Sequence, residues 1–247
     1  MKVIGLISGG KDSIYNLLQC IKNGHEIICL GHLARPSDKG ELDSYMYQTV
    51  GSEMADAIAE CMGLPLIKYT LQNKPLNLEL EYDETENDEV EDLFILLKEA
   101  KEKYPDLEGV SSGAIKSTYQ KNRVENLCKR LNMTSLAYLW DRDQKELLLD
   151  MINDGMDALL IKICTLGLEK EDLLKSIKEM QPKLFILEQK YKVNVCGEGG
   201  EFESLTVDCP LYKKRINITD YDVVCHSSDP FCPVYYAVIK SYELVDK

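Results

Sequence analysis

The apolar run at residues 2–7 gives way to Ser8-Gly9-Gly10-Lys11-Asp12-Ser13, and Ile14, Leu17, Leu18 and Ile21 then recur at helical spacing. A strand, a glycine turn and a helix start follow one another directly. Such a junction presents bare backbone N–H groups to an anion: the helix dipole and its first-turn donors favour negative charge, and glycines let the chain approach it closely. The spacing is neither GxxxxGKS/T nor GxGxxG, which argues against a plain P-loop kinase and against a dinucleotide fold. The plainer alternative is a tight turn whose lysine faces water. Ser8, Ser13, Lys11 and the backbone at Gly9 and Gly10 can together surround a polyphosphate, with Lys11 supplying the point charge and the hydroxyls supplying donors. Asp12 only accepts hydrogen bonds when ionised, so it either holds Mg²⁺ or caps and orders the turn.

The pattern that follows fixes the fold class. Candidate strands at 2–7, 27–32, 65–70, 109–113, 135–138 and 157–163 alternate with candidate helices at 12–22, 50–62, 89–103, 119–131 and 143–153. Repeated units of this length predict an α/β fold with a mostly parallel sheet and helices on both faces. Ligands in such sheets bind beyond the carboxyl ends of the strands, which is where the Ser8–Ser13 turn lies. The stretch 71–90 loses periodicity and carries Glu79, Glu81, Asp83, Glu84, Glu86, Asp88 and Glu89 without matching bases. It reads as a solvated loop leading to a helix start at Asn87-Asp88, or as an element that recognises a basic partner. A connecting helix is predicted over 164–180 from Leu173, Leu174, Ile177 and Met180. Beyond about 184, short extended candidates at 193–197, 204–208, 223–225 and 234–240 predict a smaller mixed α+β domain. The boundary is set at residue 140, giving a phosphate-binding unit at 1–140 and a substrate unit at 141–247.

Composition bounds the partners. The formal charge is −13, so a protein gripping long nucleic acid would need a local basic patch, and a basic protein partner fits the field better. No run approaches the roughly 18 apolar residues of a membrane span, and the strand at the N-terminus leaves no room for a secretory signal. The nine cysteines form no CxxC pair and there are only three histidines, so buried thiols of a cytoplasmic protein are expected rather than a zinc site.

Two further clusters carry chemistry. Ser111-Ser112-Gly113-Ala114-Ile115-Lys116-Ser117-Thr118-Tyr119-Gln120, with Arg123 and Glu125 following, runs from a strand end into a helix. Gly113 would let a sugar or base lie against backbone, and Arg123 would share the face of Tyr119; a polar helix start with a surface arginine is the alternative. Cys196-Gly197-Glu198-Gly199-Gly200-Glu201-Phe202-Glu203-Ser204 crowds three carboxylates into a glycine turn. These could orient an ammonium nucleophile, accept its proton or hold a cationic substrate, or they form an acidic hairpin loop. Cys196 has no histidine near it in sequence, which weighs against a thiol nucleophile.

Ser8-Gly9-Gly10-Lys11-Asp12-Ser13 resembles the SGGxDS signature of the PP-loop ATP pyrophosphatases. Within that superfamily the chain is similar to the diphthine–ammonia ligase family across essentially its whole length. The resemblance is carried by Leu42-Asp43-Ser44-Tyr45-Met46-Tyr47-Gln48-Thr49-Val50-Gly51, Ser112–Ile115 with Glu125-Asn126, Tyr138-Leu139-Trp140, Gly197–Glu203 and Asp208–Leu211. It implies a Rossmann-like PP-loop (HUP-type) fold and an ATP-dependent ligase that adenylates the carboxylate of diphthine on translation elongation factor 2. Ammonium then displaces AMP, and no glutaminase or membrane is involved. It further implies that Ser8, Gly9, Gly10, Lys11, Asp12 and Ser13 carry the phosphates, with His32 at the adenine edge and Gly113 at the ribose. Lys11, Ser13, Glu198, Glu201 and Glu203 fall on the catalytic signatures, and Asp12 is the magnesium candidate. A tRNA-modifying relative, disfavoured by the charge and the unpaired cysteines, and a non-catalytic adenine-nucleotide sensor are the alternatives.

Overall fold

The computed structural model describes residues 1–34, 50–229 and 232–247. The Leu42–Gly51 motif lies outside them except for Val50 and Gly51, and the predicted Asp229-Pro230 turn is cut at Pro230.

The first half runs β1 (Lys2–Leu6), α1 (Lys11–Lys22), β2 (Glu26–Ala34), α2 (Ala55–Met62), β3 (Leu66–Thr70), α3 (Glu89–Lys103), β4 (Leu107–Ser111), α4 (Thr118–Arg130) and β5 (Thr134–Leu136). The five strands form one sheet in the order β3-β2-β1-β4-β5, with every pair parallel. Alternate side chains of β1 enter different cores, as the two-residue period of a strand requires. Val3 packs with Leu17 and Ile58 on the α1 and α2 face, and Ile4 packs with Leu96 and Val124 on the α3 and α4 face. The α/β class and the alternation of elements predicted from sequence are both present.

The second half contains α5 (Gln144–Asn153), β6 (Asp157–Ile163), α6 (Ile177–Tyr191), β7 (Phe202–Asp208), β8 (Lys214–Ser227) and β9 (Val234–Asp246). Its four strands form an antiparallel sheet, β7-β6-β9-β8. The apolar face of this sheet shares one core with α1 and α2: Ile14 and Leu17 lie in the same cluster as Ile161, Ile163 and Leu205. The edge of the second sheet therefore reaches the glycine turn, where the Thr206 N–H donates to the Gly9 carbonyl at 2.9 Å.

Three element predictions need correction. The helix expected over 164–180 is instead a short 3₁₀ turn at Lys170–Asp172 followed by α6. Ser176 starts α6 with a capping box to Glu179, and Leu174 sits at φ 60°, so Leu173 and Leu174 precede the helix. Residues 193–197 form a turn rather than a strand. The extended candidates at 223–225 and 234–240 are the middles of β8 and β9, which pair with each other along a long two-stranded ribbon. Among the described residues no helix is long and apolar enough to cross a membrane.

Candidate functional site

In the order β3-β2-β1-β4-β5 the connections from β1 and from β4 leave in opposite directions. This opens a crevice at the carboxyl ends of the two strands. A cavity occupies it. Its walls come from the end of β1 and the start of α1 (Ser8, Asp12, Ser13), the end of β2 (His32) and the β4–α4 junction (Ser112, Gly113). Gln120 and Val124 of α4 add one side, and Glu198 of the second half closes another.

The turn after β1 is held by its own hydroxyls. The Ser8 N–H donates to Ser13 Oγ at 3.3 Å, Ser13 Oγ donates to the Gly10 carbonyl at 3.0 Å, and the Gly10 N–H donates to Ser8 Oγ at 3.3 Å. Gly9 supports the turn at φ 92°, a conformation that a side chain would strain. Gly10 caps α1 in an extended conformation and no side chain caps the helix. The positive end of α1 is thus directed at the cavity through backbone N–H groups. One of these, at Lys11, is claimed by Ser204 Oγ of β7 at 3.1 Å.

Lys11 stands behind the cavity wall rather than in it. Its side chain is 2 % exposed, its Nζ donates to Asp12 Oδ2 at 2.9 Å and to the Cys196 carbonyl, and it lies 5.1 Å from the centre of the Phe202 ring. Burial works against the ammonium, but the neighbouring acceptors, Asp12 foremost through its charge and its hydrogen bond, hold the group above the ordinary lysine value. Lys11 is a fixed, permanently positive charge at the base of the turn.

Glu198 joins the two halves. Its Oε1 accepts from three successive N–H groups, Ile115 at 3.2 Å, Lys116 at 2.9 Å and Ser117 at 3.1 Å, immediately before α4. Burial pushes its carboxyl above the ordinary glutamate value, and Asp12 adds to that shift against the three donors. Gly113 lets the two glycine junctions meet. A Cβ at this position would stand 2.6 Å from the Ser13 nitrogen and 2.7 Å from the Asp12 carbonyl carbon, which is backbone that cannot swing away. His32 is 3 % exposed, with Nδ1 2.9 Å from the Ile7 carbonyl. A carbonyl only accepts, so the proton sits on Nδ1, and burial lowers the imidazole's pKa toward the neutral form.

The three carboxylates of the 197–203 turn do not converge. Glu201 accepts from the Asn194 and Gly199 N–H groups, both at 2.8 Å, and so braces its own turn. Glu203 pairs with Lys162 at 3.1 Å across the β6–β7 ladder. Only Glu198 reaches the cavity. Arg123 is also elsewhere than expected. It is fully buried, stacks on Tyr119 with 3.2 Å between guanidinium and ring centre, and donates to the carbonyls of Asn77, Glu79 and Tyr119. It organises the loop before α3 and does not face the cavity. Cys196 is buried, donates from Sγ to the Gln144 carbonyl at 3.2 Å, and is pushed up to about 12 by burial, so it holds its proton.

One polar residue of this region draws no attention in the sequence, and one member of the second sequence cluster reaches the cavity unremarked. Asn16 is fully buried on α1; its Nδ2 donates to Ser111 Oγ and the Leu136 carbonyl, both at 2.7 Å, and its Oδ1 accepts from the Tyr138 N–H at 2.8 Å. An amide on the apolar face of a helix is the signal for such a tie. Gln120 lines the cavity from the first turn of α4. Asp12 is the only acidic residue of the turn, and its Oδ1 is buried with no hydrogen-bond partner. One carboxylate beside a phosphate site suits Mg²⁺, which keeps waters and takes most of its remaining ligands from the phosphates. Among the described residues no cluster of three or more metal-ligating side chains exists.

Comparison with known proteins assigns the family. The diphthamide synthase N-terminal domain model matches residues 1–135, and the C-terminal domain model matches residues 143–240. A human protein named diphthine–ammonia ligase is 51 % identical over 252 residues, covering 100 % of this chain and 94 % of the human protein. A zebrafish (Danio rerio) protein of the same name is 51 % identical over 251 residues, with 100 % and 98 % covered. In Schizosaccharomyces pombe the namesake is 52 % identical over 232 residues, and there the chain spans 38 % of the relative's length. With both domain models matched in order over nearly all of its residues, the chain belongs to the diphthine–ammonia ligase family.

Proposed function

We infer that this chain catalyses the reaction its family is named for, an AMP-forming ligation of ammonia to the carboxylate of diphthine on translation elongation factor 2. The observation that carries the reading is the cavity at the β1/β4 divergence, built from the glycine turn of the first half and closed by Glu198 of the second. We assign ATP to it, with the phosphates on the N–H groups of the Ser8–Ser13 turn, the ribose beside Gly113 and the adenine toward His32. Asp12 fits the Mg²⁺ that would accompany the nucleotide. The halves divide near residue 140, between β5 and α5.

A carboxylate oxygen of the acceptor bonds to the α-phosphorus, the bridging bond to the β-phosphate breaks, and pyrophosphate leaves. Ammonia then attacks the acyl carbon, AMP departs with the C–O electron pair, and the ammonium-derived proton passes to solvent. Positive charge fixed in advance favours the first step: the α1 N-terminus and the buried Lys11 meet charge growing on the departing pyrophosphate without reorganising. Enclosure from two sides protects the acyl-adenylate from water. Glu198 acts by positioning the α4 junction, and Glu201 and Glu203 act by holding the turn and the strand from which Glu198 projects. The −13 charge suits a basic protein acceptor in the cytoplasm better than tRNA.

The test is incubation with ATP, ammonium and the diphthine-bearing factor. The acceptor should lose the mass difference between a hydroxyl and an amino group, with AMP formed in step. ADP as the nucleotide product, or ATP binding without turnover in the full mixture, would reject the reading.

A further inference from the structure

The acidic stretch between β3 and α3 is absorbed by none of this chemistry, yet it is built with care. Leu76, Leu78 and Leu80 are 57 %, 59 % and 63 % exposed. Their backbone is nevertheless fixed from several directions. Arg123 donates to the Asn77 carbonyl at 2.6 Å and the Glu79 carbonyl at 3.0 Å, and Asn122 donates to the Leu80 carbonyl at 3.0 Å. Asn126 donates to the Tyr82 carbonyl at 2.8 Å, and the buried Asp88 accepts from the N–H groups of Leu76 and Asn77 at 2.7 and 2.9 Å. A segment whose backbone is ordered by four side chains while its leucines stay in water is preorganised for contact. It also follows the carboxyl end of β3, and Arg123, Asn122 and Asn126 belong to the same helix as Gln120 and Val124 of the cavity wall.

We propose that the 76–81 strip is the docking surface for the acceptor protein, taking a segment that carries apolar side chains flanked by lysine or arginine. The proposal rests on the ligase reading, which requires a protein-borne carboxylate to enter the neighbouring cavity. Charge selects the occupant. Glu79 and Glu81 alternate with the leucines along the chain, Asp83, Glu84 and Glu86 follow them, and Lys74 is the one base between 72 and 89; Arg130 of α4 pairs with Glu84 at 3.5 Å and leaves the other acids in excess. A second copy of the chain would set these acids against themselves in a two-fold contact, and an anionic membrane would be repelled.

Two variants of the full chain separate the contributions: Leu76→Ser with Leu78→Ser and Leu80→Ser, and Glu79→Lys with Glu81→Lys. The anchors hold backbone carbonyls and N–H groups; of the replaced side chains only Glu81 meets an anchor, accepting from Asn122 Nδ2 at 3.3 Å, and the Asn122 bond to the Leu80 carbonyl remains in both sets. With ATP and ammonium saturating, the leucine variant should raise the KM for the acceptor by about tenfold or more, as loss of a central apolar contact does. The lysine variant should raise it more at low salt than at high salt, and in both the KM for ATP and kcat should stay at wild-type values. Acceptor binding measured directly by interferometry, without turnover, should weaken in parallel. Unchanged acceptor binding and KM in both variants would overturn the proposal, as would a shift from dimer to monomer in sedimentation that accompanies the leucine changes. If the wild type binds the acceptor through the strip but never amidates it, the ligase reading fails and the docking surface stands.

Discussion

Glu198 offers a perturbation whose sign can be worked out. Its Oε1 is the acceptor for three N–H groups, at 2.9 to 3.2 Å, and burial, reinforced by Asp12, raises its pKa. A carboxyl with a higher pKa folded than unfolded contributes stability that is complete below its unfolded pKa and is lost as pH rises through its folded pKa. At neutral pH the ionised group is therefore a charge that the fold holds at a cost. Glu198→Gln keeps an oxygen at the same place and removes that charge, so its Tm at neutral pH should equal or exceed that of the wild type. Its stability should also lose the wild-type decline between mildly acidic and neutral pH. Glu198→Ala takes the acceptor from three donors. With water able to reach some of them from the cavity, the cost is about 2 kcal/mol, a fall of roughly 4–8 °C in Tm for a chain of this size. Turnover should follow the same order, with most of kcat retained by Gln and lost with Ala, as befits a residue that positions α4. Thermal denaturation across pH, alongside amidation kinetics, provides both readouts. Equal destabilisation by Gln and Ala, or a wild-type Tm for Ala, would refute the clasp.

Lys11→Ala removes a charge that acts on the cavity from behind its wall, so the loss of transition-state stabilisation in kcat/KM should stay below the roughly 3 kcal/mol that a directly contacting donor supplies, while Ser8→Ala is milder; steady-state amidation measures both. Gly113→Ala places a Cβ 2.6 Å from the Ser13 nitrogen, so the two junctions must separate, and titration with an ATP analogue should show affinity falling by at least tenfold. Arg123→Met leaves the carbonyls of Asn77 and Glu79 without their donor. Urea denaturation should register a loss of about 3 kcal/mol, with the KM for ATP unchanged because Arg123 is not a nucleotide ligand.

Local signals were the readable ones. α3 spans the predicted 89–103 because Asp88 caps it and Glu89, Glu91 and Asp92 fill its first turn, all of which is written in consecutive residues. The glycine turn was legible for the same reason. Leu173, Leu174, Ile177 and Met180 fit a helical period by accident, since Leu173 and Leu174 follow the 3₁₀ turn and precede the cap at Ser176 whereas Ile177 and Met180 lie within α6; the Ser176–Glu179 capping box is the better signal. β8 and β9 were cut short because they form a ribbon with much exposed surface, and Asp220, Tyr221 and Asp222 interrupt any apolar alternation. At the site, the sequence grouped Glu198, Glu201 and Glu203 by proximity along the chain, whereas the fold assigns each to a different partner. The partners of Glu198 are more than 80 residues away. Arg123 is opaque to the sequence for the same reason: its partners lie in a loop that precedes it by more than 40 residues.

The central claim is that the acceptor's carboxylate is activated at the α-phosphate of ATP within the cavity between β1 and β4. Labelling the carboxylate oxygens of the acceptor with heavy oxygen and analysing the products by mass spectrometry tests it directly. The account predicts one labelled oxygen in the phosphate of AMP, in proportion to amide formed, and none in pyrophosphate. Label in orthophosphate beside ADP, or amide formed with unlabelled AMP, would contradict it.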